Sequence, residues 1–303
     1  MRKYFLILLL LFSACSPGIY EEDISLVDLE EKLYMHVFNV GQGSSTLFYQ
    51  SNGASVLIDG GSYGQATSSI FAFIEERLAN RVDYFLLTHF HEDHLGGLNA
   101  LIAGQDLIVN TKDDVFPRGA FLIRELERNE GIEDYINYAS DNFDFQEIYS
   151  GDIFTISDSL KMICYLSNGG FIGGGNIVID NNDENSKSVA VLLTFAGSKI
   201  LIAGDLTGGG ESTIDMETAL GNLVSEIDVL IVNHHGSNSS SNEKFLESTK
   251  PKIAIFSYGQ ENQYGHPSFD VIERFEKYNS DLYFTPNGDI DLVFSNHGVS
   301  IYQ

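Results

Sequence analysis

Short apolar runs separated by glycine open the regular part of this chain. Leu33–Val40, Thr46–Tyr49 and Ser55–Ile58 predict three strands joined by Gly-rich turns. The spacing then changes: Ile70, Phe73, Ile74 and Leu78 recur at helical intervals, which predicts a helix over Ser68–Leu78 leading into a strand at Val82–Leu87. Helical periodicity returns over Leu95–Ile102 and again near Phe121–Leu126. A Ser150-Gly151-Asp152 turn predicts a hairpin through Ile153–Leu166, and Asn168–Asn185, rich in Gly, Asn and Asp, predicts a long loop that is mobile or faces a substrate. Ser188–Phe195 and Lys199–Ala203 form a strand pair, Thr213–Ser225 a helix, and Asp228–Val232 a strand. Elements at Phe245–Ser248, Ile253–Ser257 and Phe269–Tyr278 and two short strands complete the chain. Two βαβ-like halves of this kind suit two sheets packed between helices, an α/β chain.

Chemistry enters immediately after the Val82–Leu87 run. Thr88-His89-Phe90-His91-Glu92-Asp93-His94-Leu95-Gly96-Gly97 concentrates three imidazoles and two carboxylates in six positions. A strand end needs no such composition, whereas a site for zinc or a neighbouring first-row cation does. His89 and His91, two apart in an extended segment, project to one side, and Asp93 and His94 follow as the chain bends, so that a second cation fits beside the first. The bland reading, a polar loop that happens to be His-rich, does not explain ligand-type residues at set spacing. Six of the eight histidines lie in such words; only His36, in a strand, and His297, near the C-terminus, do not.

The run resembles the H-x-H-x-D-H signature of the metallo-β-lactamase superfamily. Asn39-Val40-Gly41-Gln42-Gly43, Leu57-Ile58-Asp59-Gly60-Gly61, Ala203-Gly204-Asp205, Asn233-His234-His235-Gly236-Ser237 and Tyr264-Gly265-His266-Pro267 follow in an order similar to the hydrolase domain of ComEC-type DNA-uptake proteins. The resemblance implies a four-layer αββα sandwich with a dinuclear site at one sheet edge. His89 and His91 would hold one cation, and Asp93, His94 and His235 the other, with Asp205 bridging and Asp59 orienting a ligand imidazole. A metal-bound hydroxide is the nucleophile this implies, with Asp93 and His266 as catalytic residues and Ser237 and His266 as substrate contacts. His235 is preferred over His234 because adjacent residues of an extended segment cannot both face one metal. His266 could act as a general acid or bind a phosphate oxygen; the alternative is a side chain that caps the next segment.

Two departures matter. Most of the superfamily supplies a further His before the strand leading to the bridging Asp, where this chain reads Asn185-Ser186-Lys187-Ser188-Val189. ComEC-like members share an Asn-x-x-Ser word there, which assigns Asn185 and Ser188 to the surroundings of the ligands. It also predicts a weakly held, exchangeable first cation and leaves room for Mn²⁺ as well as Zn²⁺. Ser44 stands where the branch more often has Asp. Gly41-Gln42-Gly43 and Gly208-Gly209-Gly210 lack the Lys-Ser/Thr pair of a phosphate loop. Cys164 sits in a strand pattern without a local base and reads as a small buried hydrophobe.

The N-terminus changes the setting. Arg2 and Lys3, the apolar stretch Tyr4–Phe12 and Ser13-Ala14-Cys15 read as a lipoprotein signal peptide over residues 1–14. Residues 15–30 would then be a lipidated Cys15 and an acidic tether, and residues 31–303 the hydrolase domain, exported and anchored at a bacterial envelope membrane. Seventeen Lys and Arg stand against 43 acidic residues, a net charge of −26. Such a chain gains nothing from counterion release on duplex DNA, so strong duplex binding is not expected. A small phosphodiester or single-stranded nucleic acid fits better as substrate. A metal-dependent phosphodiesterase is the leading expectation. The alternatives are a β-lactam or lactone hydrolase and a non-catalytic binding lipoprotein with a degraded metal site.

Overall fold

In a computed structural model, which describes residues 30–104, 106, 108, 111–126 and 145–303, neighbouring residues along each strand bury against different partners. The expected signal segment, Cys15 and the tether up to residue 29 lie outside the described residues.

The first sheet runs in the spatial order β17-β16-β1-β2-β3-β4-β5-β6. Its strands are β1 (Leu33–Val37), β2 (Thr46–Gln50), β3 (Ser55–Ile58), β4 (Arg81–Leu86), β5 (Phe116–Arg124), β6 (Phe145–Ile148), β16 (Ile290–Ser295) and β17 (Gly298–Tyr302). The second runs β10-β9-β8-β11-β12-β13-β14-β15, with β7 (Ile153–Thr155) paired to β8 (Lys161–Ser167). Its other strands are β9 (Gly170–Phe171), β10 (Gly175–Asn176), β11 (Ala190–Phe195), β12 (Ser198–Ile202), β13 (Val229–Ile231), β14 (Ile253–Phe256) and β15 (Asp281–Phe284). Val56, Ile58 and Leu86 of the first sheet meet Ile200, Ile202, Val229 and Ile231 of the second in a shared core. Leu57 and Phe85, the intervening residues, face the opposite way and pack with Ile70, Ile74, Leu98 and Leu101 from helices α1 (Gln65–Leu78) and α2 (Glu92–Ile102). On the far side, Leu201, Leu230 and Ala254 pack with α3 (Glu217–Val224), α4 (Glu243–Thr249) and α5 (Phe269–Lys277) through Leu220, Phe245, Val271 and Phe275. The period of two thus produces the four layers α, β, β, α. Each fully buried Leu, Ile or Phe contributes about 1.5–3 kcal/mol.

Three expectations need correction. Phe121–Leu126 is not helical: Phe121–Arg124 end β5, which is parallel to both β4 and β6. Phe121, Leu122 and Ile123 are all buried, and a strand covered on both faces gives a continuous apolar run that spacing alone cannot tell from a helix. The helix expected over Thr213–Ser225 begins only at Glu217, because Asp215 is held in a bridge to Gly208. The long loop after Asn168 contains the β9–β10 hairpin. Cys164 is fully buried, and its burial pushes the thiol up to about 12.

Candidate metal centre

The parallel strands of both sheets point their carboxyl ends at one place, the position where α/β sheets bind ligands. Asp59 follows β3, Thr88 and His89 follow β4, Asp205 follows β12, His234 and His235 follow β13, and Ser257 follows β14. The β1–β2 loop closes over this edge. Gly43 (φ 127°) lies so near the motif that a Cβ there would sit 2.2 Å from the Asp93 carbonyl oxygen, and the next amide, Ser44 N, donates to that oxygen at 3.2 Å. Gly41-Gln42-Gly43 therefore holds the motif backbone, and Ser44 contributes a main-chain bond to it.

Asp205 is the centre of the arrangement. It is 3% exposed, and its Oδ1 has no hydrogen-bond partner although it is buried. Oδ1 lies 3.2 Å from His94 Nε2 and 3.4 Å from His235 Nε2; His235 Nε2 is in turn 3.3 Å from His94 Nε2 and 3.4 Å from Asp93 Oδ2. Ligands about 2.0–2.1 Å from a tetrahedral cation are about 3.3–3.4 Å from one another. Asp93, His94 and His235 have ligand atoms mutually within 4.8 Å and could hold one divalent cation, with Asp205 Oδ1 beside His94 and His235; an orphaned buried carboxylate oxygen is what such an ion would satisfy. On the other side, Asp205 Oδ2 is 3.8 Å from His89 Nε2, which is 3.1 Å from His91 Nδ1. Among the described residues, His89, His94 and Asp205 have ligand atoms mutually within 4.8 Å and could hold a second cation, with His91 beside His89 at the edge of this group.

Outer partners hold the rings. Asp59, left-handed at φ 57°, takes His94 Nδ1 at 2.7 Å on Oδ2, and accepts from Thr88 N and Thr88 Oγ1 at 2.8 Å each. His235 Nδ1 donates to the Ser257 carbonyl at 2.7 Å, leaving Nε2 for the cluster. Ser188 Oγ accepts from Asp205 N at 3.2 Å, and Asn185 Nδ2 lies 3.1 Å from His234 Nε2. The charges respond accordingly. Burial works against ionisation of His94, but the Asp205 and Asp59 carboxylates outweigh it and hold this imidazole well above its usual value. His235, buried beside Asp205 and Asp93, is raised to about 9. Burial, aided by the charge of His94, pushes His89 well down. Asp205 and Asp93 are held below the ordinary carboxylate range, since the neighbouring histidines outweigh burial.

The Asn233–Gly236 segment is not extended. His234 and His235 are both left-handed, at φ 50° and 54°, so the premise that adjacent imidazoles of an extended segment cannot both face one metal site does not apply. His234 Nε2 is 3.8 Å from Asp205 Oδ2, whereas His235 faces Oδ1. His266 lies in the same cleft, a space of about 440 Å³ walled also by Gln42, Glu92, Asn185 and Tyr264. Its ring is 5.6 Å from that of His234 and stacks on Tyr264 at 5.7 Å. Burial and the nearby His234 and His235 lower it to about 4. Ser237 does not reach the cleft: it is buried, with its hydroxyl 2.9 Å from Ser239 Oγ. His36 is a sheet histidine, held by Asp291 at 2.7 Å, and His297 is exposed.

Glu217 was not visible in the sequence as part of this region. It is fully buried and accepts from Asn233 Nδ2, Ser241 N and Asn242 N at 2.7–2.8 Å, clamping the loop that carries both histidines. Burial raises it to about 7. The only available signal was an acid in the first turn of a helix, which usually means dipole complementation.

The chain is similar to several known proteins. The family model described as the metallo-beta-lactamase superfamily matches residues 38–260. Competence protein ComA of Neisseria gonorrhoeae is 27% identical over 247 residues, 81% of this chain and 30% of that protein. ComE operon protein 3 of Bacillus subtilis (strain 168) is 25% identical over 234 residues, 75% of this chain and 26% of that protein. The chain thus spans less than a third of the length of either relative. Zn²⁺-bound PqqB from Methylobacterium extorquens has a TM-score of 0.47 at 11% identity, covering 82% of this chain and 97% of that one. Among the described residues no helix is long and apolar enough to cross a membrane.

Proposed function

The chain belongs to the metallo-β-lactamase superfamily, and on that premise we propose that it is a two-cation hydrolase of phosphodiesters. The observation that carries the reading is Asp205, whose two carboxylate oxygens each face a separate set of imidazoles within 3.8 Å. Two divalent cations bound about 3.5–4 Å apart would lower the pKa of water and stabilise both attacking and leaving oxygens of a displacement. The chain's own groups supply position and exclusion. Asp59 fixes the His94 tautomer, and Ser257 O does the same for His235, so that each turns its Nε2 lone pair to the cluster. His266, with a buried and unpartnered Nδ1, is available to hydrogen-bond a phosphoryl oxygen or leaving group.

The cleft lining contains Glu92, Asp93 and Asp205 but neither Lys nor Arg. A substrate phosphate would therefore be attracted by the cations alone, which favours a small phosphodiester or a loosely held single strand over gripped duplex. Tyr264, 61% exposed at the mouth, offers a face on which a base can stack. The test is initial-rate hydrolysis of bis(p-nitrophenyl) phosphate and of a chromogenic β-lactam by the full chain, loaded with Zn²⁺ or Mn²⁺, with Asp93→Ala as control. Diester turnover that needs the cation and Asp93 is expected. Turnover of the lactam alone would overturn the substrate reading.

The same proposal includes export and anchoring through a lipidated Cys15. Metabolic labelling with a tagged fatty acid is expected to mark the wild-type chain and not Cys15→Ser; equal labelling would remove the anchor.

A further inference from the structure

We infer that His234 is a ligand of the first cation, completing the set of His89, His91 and Asp205 Oδ2 in place of the imidazole absent from residues 185–189. This rests on the two-cation reading of the site.

Four features of the chain converge on it. First, the carboxylate is divided: His89 Nε2 and His234 Nε2 are each 3.8 Å from Asp205 Oδ2, while His94 and His235 take Oδ1. Without His234 the first set has three protein donors and the second has four. Second, the backbone is committed to this division. Two consecutive non-glycine residues in the left-handed region, at φ 50° and 54°, each cost of the order of 1–3 kcal/mol. The gain is that adjacent rings diverge to opposite oxygens of one carboxylate, which an extended pair cannot achieve.

Third, the surroundings of the ring suit ligation through Nε2. His234 Nδ1 is 3.0 Å from Ser239 Oγ, itself 2.9 Å from Ser237 Oγ, so the serine pair can hold a proton on Nδ1, and Asn185 Nδ2 at 3.1 Å faces an Nε2 that accepts. This gives the serine of the His-His-Gly-Ser word a role as the far end of a relay that orients the ring. Fourth, the Nε2 lone pair has only Asn185 Nδ2, at 3.1 Å, as its hydrogen-bond partner, and the Asn185 Oδ1 beside it is buried without one. Asn185 occupies the slot where an imidazole is missing, and His234 reaches the same place from the other side. A cation would displace the amide from Nε2, and rotation of the amide would turn Oδ1 towards the cation.

The test is metal stoichiometry and spectroscopy of the full chain, not turnover. Metal-depleted wild type, His234→Ala, His234→Gln and Asn185→Ala are reloaded with Mn²⁺, passed over a desalting column and counted by mass spectrometry. Circular dichroism confirms that each is folded. Wild type is expected to retain two cations with an exchange-coupled Mn²⁺ resonance. Both His234 variants are expected to retain one, with an uncoupled signal, and to bind the other more weakly by more than the about 10–100-fold that loss of an outer partner causes. Asn185→Ala is expected to keep two. Two coupled cations in both His234 variants, at wild-type affinity, would overturn the inference, as would a wild type that holds only one. A wild type holding two cations without cleaving diesters would instead sink the substrate reading and leave the role of His234 standing.

Discussion

Asp59→Asn should lower metal affinity without unfolding the protein. Asp59 is 1% exposed and isosteric with Asn, so packing is kept. In the wild type Oδ1 accepts from Thr88 N, and Oδ2 accepts from Thr88 Oγ1 and from His94 Nδ1 at 2.7 Å. With Asn the amide oxygen must stay on the Thr88 N–H, because an NH₂ there would set two donors against each other. The NH₂ then faces His94 Nδ1, which has to become an acceptor. The ring proton moves to Nε2, 3.2 Å from Asp205 Oδ1, where the cation's electron pair is required. Loss of such an outer carboxylate weakens metal binding by about 10–100-fold, or about 1.4–2.7 kcal/mol. Competition titration against a chromophoric chelator measures this at the second site. Asp291→Asn, which alters the same kind of contact to His36 on the β1–β16 pair, is the control and should leave affinity unchanged. Affinity of Asp59→Asn within twofold of wild type would refute the orienting role.

Other consequences follow from the same contacts. Gly97→Ala would place a Cβ 1.9 Å from the Gly60 carbonyl oxygen and push α2 away from the β3 end; urea unfolding should show a loss of about 1–3 kcal/mol, and an unchanged midpoint would contradict the close packing. Between pH 7 and 9 the metal-free protein should lose stability: His94 and His235 have folded pKa values above the unfolded 6.5, so their contribution is full below 6.5 and is lost as pH rises towards about 9 for His235. Metal affinity should rise over that window as the same protons leave, with urea midpoints measured with and without Mn²⁺ as the check. His266→Ala should lower kcat for diester hydrolysis about 10²–10⁴-fold if it serves proton transfer, while the metal content stays at the wild-type value; a loss of metal would make it a ligand instead.

Much of the site could be read from the chain because its residues come in contiguous words. His89, His91, Asp93 and His94 fall within six positions, and the strand preceding them is an apolar run. The β1–β4 strands and α1 were equally plain, the strands as short apolar runs, most of them set off by Gly-rich turns, and α1 by its helical spacing. β5 was not, because a strand covered on both faces has no period to show. The His234 geometry was not legible for a different reason: two left-handed residues in succession leave no mark in composition, and the extended backbone behind the preference for His235 is absent, although His235 does lie with Asp93 and His94. Glu217 and Ser239 act through the loop they hold, and nothing in their spacing distinguishes them from ordinary helix-start and turn residues.

The central claim is a dinuclear centre divided across Asp205. The most direct measurement is an anomalous difference map from crystals of the protein soaked in Mn²⁺ or Zn²⁺, recorded at the metal edge. The account predicts two peaks about 3.5–4 Å apart, one among Asp93, His94, His235 and Asp205 Oδ1 and one beside His89, His91, His234 and Asp205 Oδ2. A single peak, or peaks away from Asp205, would contradict it.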